Sequence, residues 1–214
     1  MSLNILVVGA SKGTGALCVE AALARGDRVT AFARTPSKLD ITDEKLTKLV
    51  GDFHDPASVR AAVPGHDAVI ITASVSALSE MKTTPDWFSK GTRYCIDAMK
   101  EHGVKRLVVL SALGSGDSRA ASGWLIRTLV VDGILKRTFA DHDVQERMTR
   151  ESGLDWVIAR PGRLTNGPAR LKYVSDPSAD GKVPGSISRA DVADFLVKAC
   201  SDPAMVGKSL LLGG

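Results

Sequence analysis

The chain has 214 residues, 44% of them hydrophobic and 24% charged, with a formal net charge of +4. That composition is ordinary for a globular protein and excludes a disordered tail, a collagen-like fibre and a disulfide scaffold. At roughly 100–200 residues per domain, it predicts a single domain over 1–214. The cations are scattered, Lys136-Arg137 being the densest cluster, so no nucleic-acid partner is expected. Cys18, Cys95 and Cys200 have no CxxC spacing, which reads as reduced core thiols in a cytoplasmic protein without a metal site. No apolar stretch nears the ~18 residues that span a bilayer, and the chain enters a strand-like run at once. Neither a membrane partner nor a signal peptide is expected.

In chain order, Leu3–Gly9 is a short apolar, β-branched run that predicts a strand buried on both faces. A helix follows from Gly13 to Arg25, with Leu17, Ala21 and Ala24 as its stripe and Gly26 as its stop. Strands are predicted at Arg28–Arg34 and Lys48–Gly51, then a small helix opened by Asp55 as N-cap and Pro56 at the first helical position. Ala68–Ala73 reads as the fourth strand, Asp86–His102 as a helix closed by Gly103, and Arg106–Ser111 as the fifth strand. Beyond these, Thr138–Ser152 reads as a helix and Trp156–Arg160 as a strand stopped by Pro161-Gly162. A last helix, Ser188–Cys200, carries a Val192, Phe195, Leu196, Ala199 stripe and a Ser188/Asp191 capping box, and Lys208–Leu212 reads as an edge strand. Ser115–Arg137 and the proline-bearing Thr165–Gly185 are long and irregular enough to form active-site walls. Alternating strands and helices with right-handed crossovers predict an α/β doubly wound parallel sheet, with a small C-terminal substrate-side region.

Gly9-Ala10-Ser11-Lys12-Gly13-Thr14-Gly15 lies between the first strand and the first helix. A pyrophosphate needs close backbone approach, inward N–H groups and a helix N-terminus, and glycine permits that approach. In this context Gly9, Gly13 and Gly15, with Ser11, Lys12 and Thr14 as donors, predict a dinucleotide site. The cofactor type follows from the end of the second strand. An NAD site offers an acid there, whereas Ala33-Arg34-Thr35-Pro36-Ser37-Lys38 offers cations. Arg34 is expected to fork the 2′-phosphate of NADP and Lys38 to assist it.

These runs, with Gly51-Asp52-Phe53, Leu107–Ser111, Gly153–Gly162 and Ile187–Ala193, resemble the atypical short-chain dehydrogenase/reductases over nearly the whole chain. Within them, the chain most resembles the NAD(P)H-binding group that holds flavin reductase (biliverdin reductase B) and the NmrA-like proteins. The resemblance implies a Rossmann fold in which Asp52 and Phe53 flank the adenine and Thr72 and Ala73 line the cofactor. It further implies that Pro161, Gly162 and Arg163 approach the nicotinamide and that Ser111 sits beside it. Lys12 stands where members with Gly-x-x-Gly-x-x-Gly spacing have glycine; the spacing here is that of the Tyr-Lys branch. The Tyr-x-x-x-Lys of that branch is absent, and the matching helix reads Asp141-His142-Asp143-Val144-Gln145-Glu146. His142 and Glu146, at i and i+4, share a face there, and His142 is a candidate proton donor. Hydride transfer to a flavin or quinone needs oriented rings and can draw its proton from water. The expectation is an NADPH-dependent reductase of such a planar acceptor, as monomer or homodimer, with Ser111 and His142 as catalytic candidates. The alternatives are a non-enzymatic NADP sensor of the NmrA-like kind and, further off, an isomerase or dehydratase.

Overall fold

The computed structural model describes residues 2–74, 86–122, 135–177, 183 and 185–214. Strands β1 (Asn4–Val8), β2 (Arg28–Ala33), β3 (Leu46–Val50) and β4 (Ala68–Ile71) form one half of an eight-stranded sheet. The other half comprises β5 (Arg106–Leu110), β6 (Asp155–Pro161), β8 (Val174–Asp176) and β10 (Lys208–Gly213). The order is β3-β2-β1-β4-β5-β6-β10-β8, parallel throughout except for the β10–β8 pair. Two short strands, β7 (Arg163–Thr165) and β9 (Ser186–Ser188), pair separately in parallel. The doubly wound α/β sheet is therefore as the alternation of elements predicts.

Helices α1 (Gly13–Ala24) and α5 (Arg189–Ala199) cover one face. On the other, α2 (Pro56–Ala62), α3 (Trp87–His102) and α4 (Lys136–Arg150) lie side by side, with α3 in the middle. Because successive strand residues point to opposite faces, β1 feeds both layers: Ile5 and Val7 pack under α1 and α5, Leu6 and Val8 under α2 and α3. Burial on both faces is why β1, β4 and β5 read as continuous apolar runs.

Local chemistry sets the helix ends. Asp55 accepts from the Ala57 N–H at 3.1 Å and Pro56 opens α2. The Ser188 hydroxyl accepts from Asp191 N–H at 2.9 Å and donates to the Asp191 carboxylate at 2.7 Å, so the capping box closes on the side chain. Asp141 of α4 caps the neighbouring α3, accepting from the Phe88 and Ser89 N–H groups at 2.6 and 3.2 Å.

Two expectations are corrected. The buried stripe of α1 is Cys18, Val19 and Ala22, with Leu17 and Ala21 only partly buried. The helix is apolar almost all round, so periodicity did not select the face. Strand β10 is interior, because β8, drawn from the expected Thr165–Gly185 wall, pairs along its outer side. In the expected Ser115–Arg137 wall, Gly116–Ser122 forms a 3-10 helix, while 123–134 lie outside the described residues. The three thiols are free and buried, and burial pushes those of Cys95 and Cys200 up to about 12, which leaves them inert as nucleophiles at neutral pH. Among the described residues, no helix is long and apolar enough to cross a membrane and no His/Cys/Asp/Glu group could hold a metal.

Candidate functional site

A cleft opens along the carboxyl ends of β1, β2 and β4. Gly9, Ser11 and Lys12 line one end, Arg34, Thr35 and Lys38 the other, and Asp52, Phe53 and Ala73 lie between. The floor is fixed by backbone bonds: Gly9 N–H donates to Phe32 carbonyl at 2.9 Å, and Gly51 N–H to Ala33 carbonyl at 3.0 Å. Gly9 has φ +88, and a Cβ there would lie 2.6 Å from the Ala73 backbone. That loop can pass the end of β4 only as glycine.

The other loop residues divide. Gly13 is exposed in the first turn of α1, with φ +59 and open space where a Cβ would go. Thr14 and Gly15 are buried, and a Cβ at Gly15 would meet the Gly9 carbonyl and lie 2.6 Å from Thr72 Oγ1. Thr72 is buried behind the loop. Its hydroxyl donates to Val8 carbonyl at 2.9 Å, tying β4 to β1 behind the loop, and Ala73 and Ser74 face the cleft instead.

At the far end Arg34 is exposed and its guanidinium lies 5.9 Å from the centroid of the Trp87 ring. Trp87 also lines the cleft and takes the His54 ring edge-on at 4.0 Å. The sequence reading missed Trp87, because a single aromatic at a helix start carries no periodic signal. The Phe53 ring is buried against Gly91, where any Cβ would strike it. Asp52 accepts from His54 N–H at 2.9 Å.

Farther along the sheet edge, Ser111 follows β5. Its hydroxyl donates to Glu146 Oε1 at 2.7 Å, and Glu146 in turn accepts from Arg160 Nε and Nη2 at 3.0 and 2.6 Å and from Arg150 Nη2 at 3.0 Å. Arg160 also pairs with Asp117. Glu146 is fully buried and Arg160 is 1% exposed. Burial opposes the charge on Arg160, but the hydrogen bonds and charges of Glu146 and Asp117 outweigh it and its pKa is raised. Glu146 and Arg160 were not singled out from the sequence as a pair. The signal was there: an arginine ending the apolar run Trp156–Ala159 must find a buried partner.

His142 lies one turn before Glu146 but in a different setting. Its ring stacks on Phe88 at 4.0 Å and its Nδ1 bonds Gln145 Oε1 at 2.8 Å, inside the seam between α3 and α4. Burial lowers its pKa, against the opposing pull of Gln145 and the carboxylates of Asp141, Glu146 and Asp143. Neither His142 nor Ser111 lines the Arg34 cleft. Pro161 is buried at the end of β6, Gly162 N–H donates to Leu212 carbonyl at 3.0 Å, and Arg163 is exposed at the start of β7.

A family model described as NAD(P)H-binding matches residues 9–203. Sanguinarine reductase of Eschscholzia californica is 26% identical over 99% of this chain and 89% of its own. The UPF0659 protein YMR090W of Saccharomyces cerevisiae is 30% identical over 98% of this chain and 92% of its own. Among solved structures, ChuY, an anaerobilin reductase from Escherichia coli O157:H7, is 25% identical with a TM-score of 0.81, over 98% of this chain and 96% of its own. A short-chain dehydrogenase/reductase from Veillonella parvula, solved in complex with NADP, shares the fold at 18% identity and a TM-score of 0.79, over 100% of this chain and 95% of its own.

Proposed function

This chain belongs to the NAD(P)H-binding family, and from that premise we propose that it is an NADPH-dependent reductase passing hydride to a planar acceptor such as a flavin or quinone. The observation that carries the reading is the cleft: a glycine loop and Ser11 and Lys12 at one end, Arg34 and Lys38 at the other. The fit to a dinucleotide rests on Gly9, whose Cβ would collide with the β4 end, and on the first turn of α1 beside it. The fit to a 2′-phosphate rests on Arg34 and Lys38 standing where an NAD site offers a carboxylate.

In this reading Ser11, Lys12, Gly13 and Thr14 hold the pyrophosphate and Arg34 and Lys38 the 2′-phosphate, while Asp52, Phe53 and Ala73 flank the adenosine. Pro161, Gly162, Arg163 and Ser111 border the nicotinamide. NADPH supplies a hydride when bound. The protein's part is to orient the two rings and exclude water from the transfer. A reaction that takes its proton from water fits a helix α4 without Tyr-x-x-x-Lys, whose one histidine is enclosed by Phe88 and Gln145.

Steady-state NADPH oxidation with FMN and with a small quinone tests the reading, with NADH run alongside. Turnover with at least one acceptor, and preference for NADPH, is the expected result. Tight NADPH binding without turnover would overturn it in favour of a redox sensor.

A further inference from the structure

Arg34 follows β2 and Trp87 opens α3, and the two meet at the far end of the cleft, which both line. The guanidinium lies over the indole, 5.9 Å from its centroid. Arg34 is exposed, and among the described residues no carboxylate pairs with it. Its charge is engaged by an aromatic face rather than by an acid.

Trp87 is itself fixed. Asp141 caps α3 at Phe88 and Ser89, the two residues after it, at 2.6 and 3.2 Å. His54 Nε2–H donates to the Trp87 carbonyl at 2.8 Å, and the imidazole meets the indole at 4.0 Å with the two planes at 81°. Asp52 accepts from His54 N–H in turn. The indole Nε1 is buried and makes no hydrogen bond. An N–H left unpaired opposes burial, so packing, and not a polar anchor, keeps the ring where Arg34 meets it.

An exposed arginine has many rotamers, and a ligand that fixes it must repay that lost freedom. A ring that already engages the guanidinium removes part of the cost before the ligand arrives. The guanidinium offers donors along its edge and a face to aromatics, so it can keep the ring while it forks a phosphate. NADPH and NADH differ only in the 2′-phosphate, the group assigned to Arg34. We infer that Trp87 is a positioning residue that sets the preference for NADPH over NADH by holding Arg34 at that end of the cleft. It acts through Arg34, and the adenosine and pyrophosphate common to both cofactors do not feel it. This rests on the cofactor reading above.

The test is a double-mutant cycle read by calorimetric titration of the full chain with NADPH and with NADH. Trp87→Leu should lower NADPH affinity on the order of threefold while NADH changes little. In an Arg34→Ala background the same substitution should leave the ratio of the two affinities where it was, because the residue through which it acts is gone. Trp87→Phe keeps an aromatic face and should hold most of the preference. A ring that only shapes the cleft wall would weaken both cofactors alike, and that result would overturn the inference. So would an unchanged NADPH affinity, or a loss of preference that persists undiminished without Arg34. A gain in NADPH affinity would overturn it as well, since the ring would then be drawing Arg34 away from the phosphate. If Trp87→Leu does not fold, Trp87→Met takes its place in both backgrounds. A wild-type protein without preference for NADPH, or an Arg34→Ala variant that keeps it whole, would overturn the cofactor reading and the inference with it.

Discussion

The two ends of the sheet's carboxyl edge are built on opposite rules. At the β1–β2 end, glycines let the loop backbone pass close to the end of β4 and cations stand exposed: Arg34, Lys12 and Lys38 line an open cleft. At the β5–β6 end, the charges of Glu146 and Arg160 are buried and paired with one another, and Ser111 is drawn into the same network. The first region carries its polar capacity outward, into the cleft. The second has spent nearly all of it within the protein. Substitution should therefore cost binding at one end and folding at the other.

The sharpest way to break that contrast is Arg160→Met. Removing one partner of a buried ion pair leaves an uncompensated charge and should lower unfolding free energy by about 3–5 kcal/mol in urea titration. A loss below about 1 kcal/mol would mean that the network is no more than a surface pair. At the other end, Gly13→Val should abolish binding of either dinucleotide while thermal melting stays cooperative. A Cβ there meets nothing within the protein, and the φ of +59 adds strain of roughly 1–2 kcal/mol. Retained binding in the folded variant would remove Gly13 from the phosphate loop.

Arg34→Ala sharpens the comparison within the cleft. Loss of a charge-assisted contact to a phosphate costs roughly 1.5–3 kcal/mol, so NADPH affinity should fall tenfold or more while NADH changes little. Equal losses for both would sink the 2′-phosphate assignment. The smallest effect concerns His142, whose folded pKa lies below its ordinary value of 6.5 because of burial. A histidine depressed on folding binds its proton more readily when unfolded, so its contribution is complete above about pH 6.5 and is lost as pH falls toward the folded value. Urea midpoints taken downward from pH 7 should fall less steeply for His142→Gln than for the wild type. Parallel slopes would show that the imidazole is not held neutral.

Much of the Arg34 cleft was legible because its signals are local. The glycine loop follows a buried strand directly, and Arg34 sits at the next strand's end. The Asp55 and Ser188 caps were equally readable, since a cap joins residues two or three apart. Sequence puts Thr72 at the strand end but cannot say which side its hydroxyl takes; Val8 carbonyl claims it. The strand β8 was read as loop because three residues leave no period, and pairing with β10 is what makes them extended.

The sequence by itself determined the alternation of strands and helices, the glycine loop after β1 and the cationic end of β2, because each rests on neighbours along the chain and on side-chain chemistry that does not depend on fold. Only the tertiary structure decided what Ser111 and His142 can do. The two belong to adjoining parts of the chain's second half, yet one faces Glu146 and the other Phe88 and Gln145. A hydroxyl's direction and an imidazole's charge are set by whatever stands within hydrogen-bond reach after burial. Those partners come from helices and strands brought together by packing rather than by sequence.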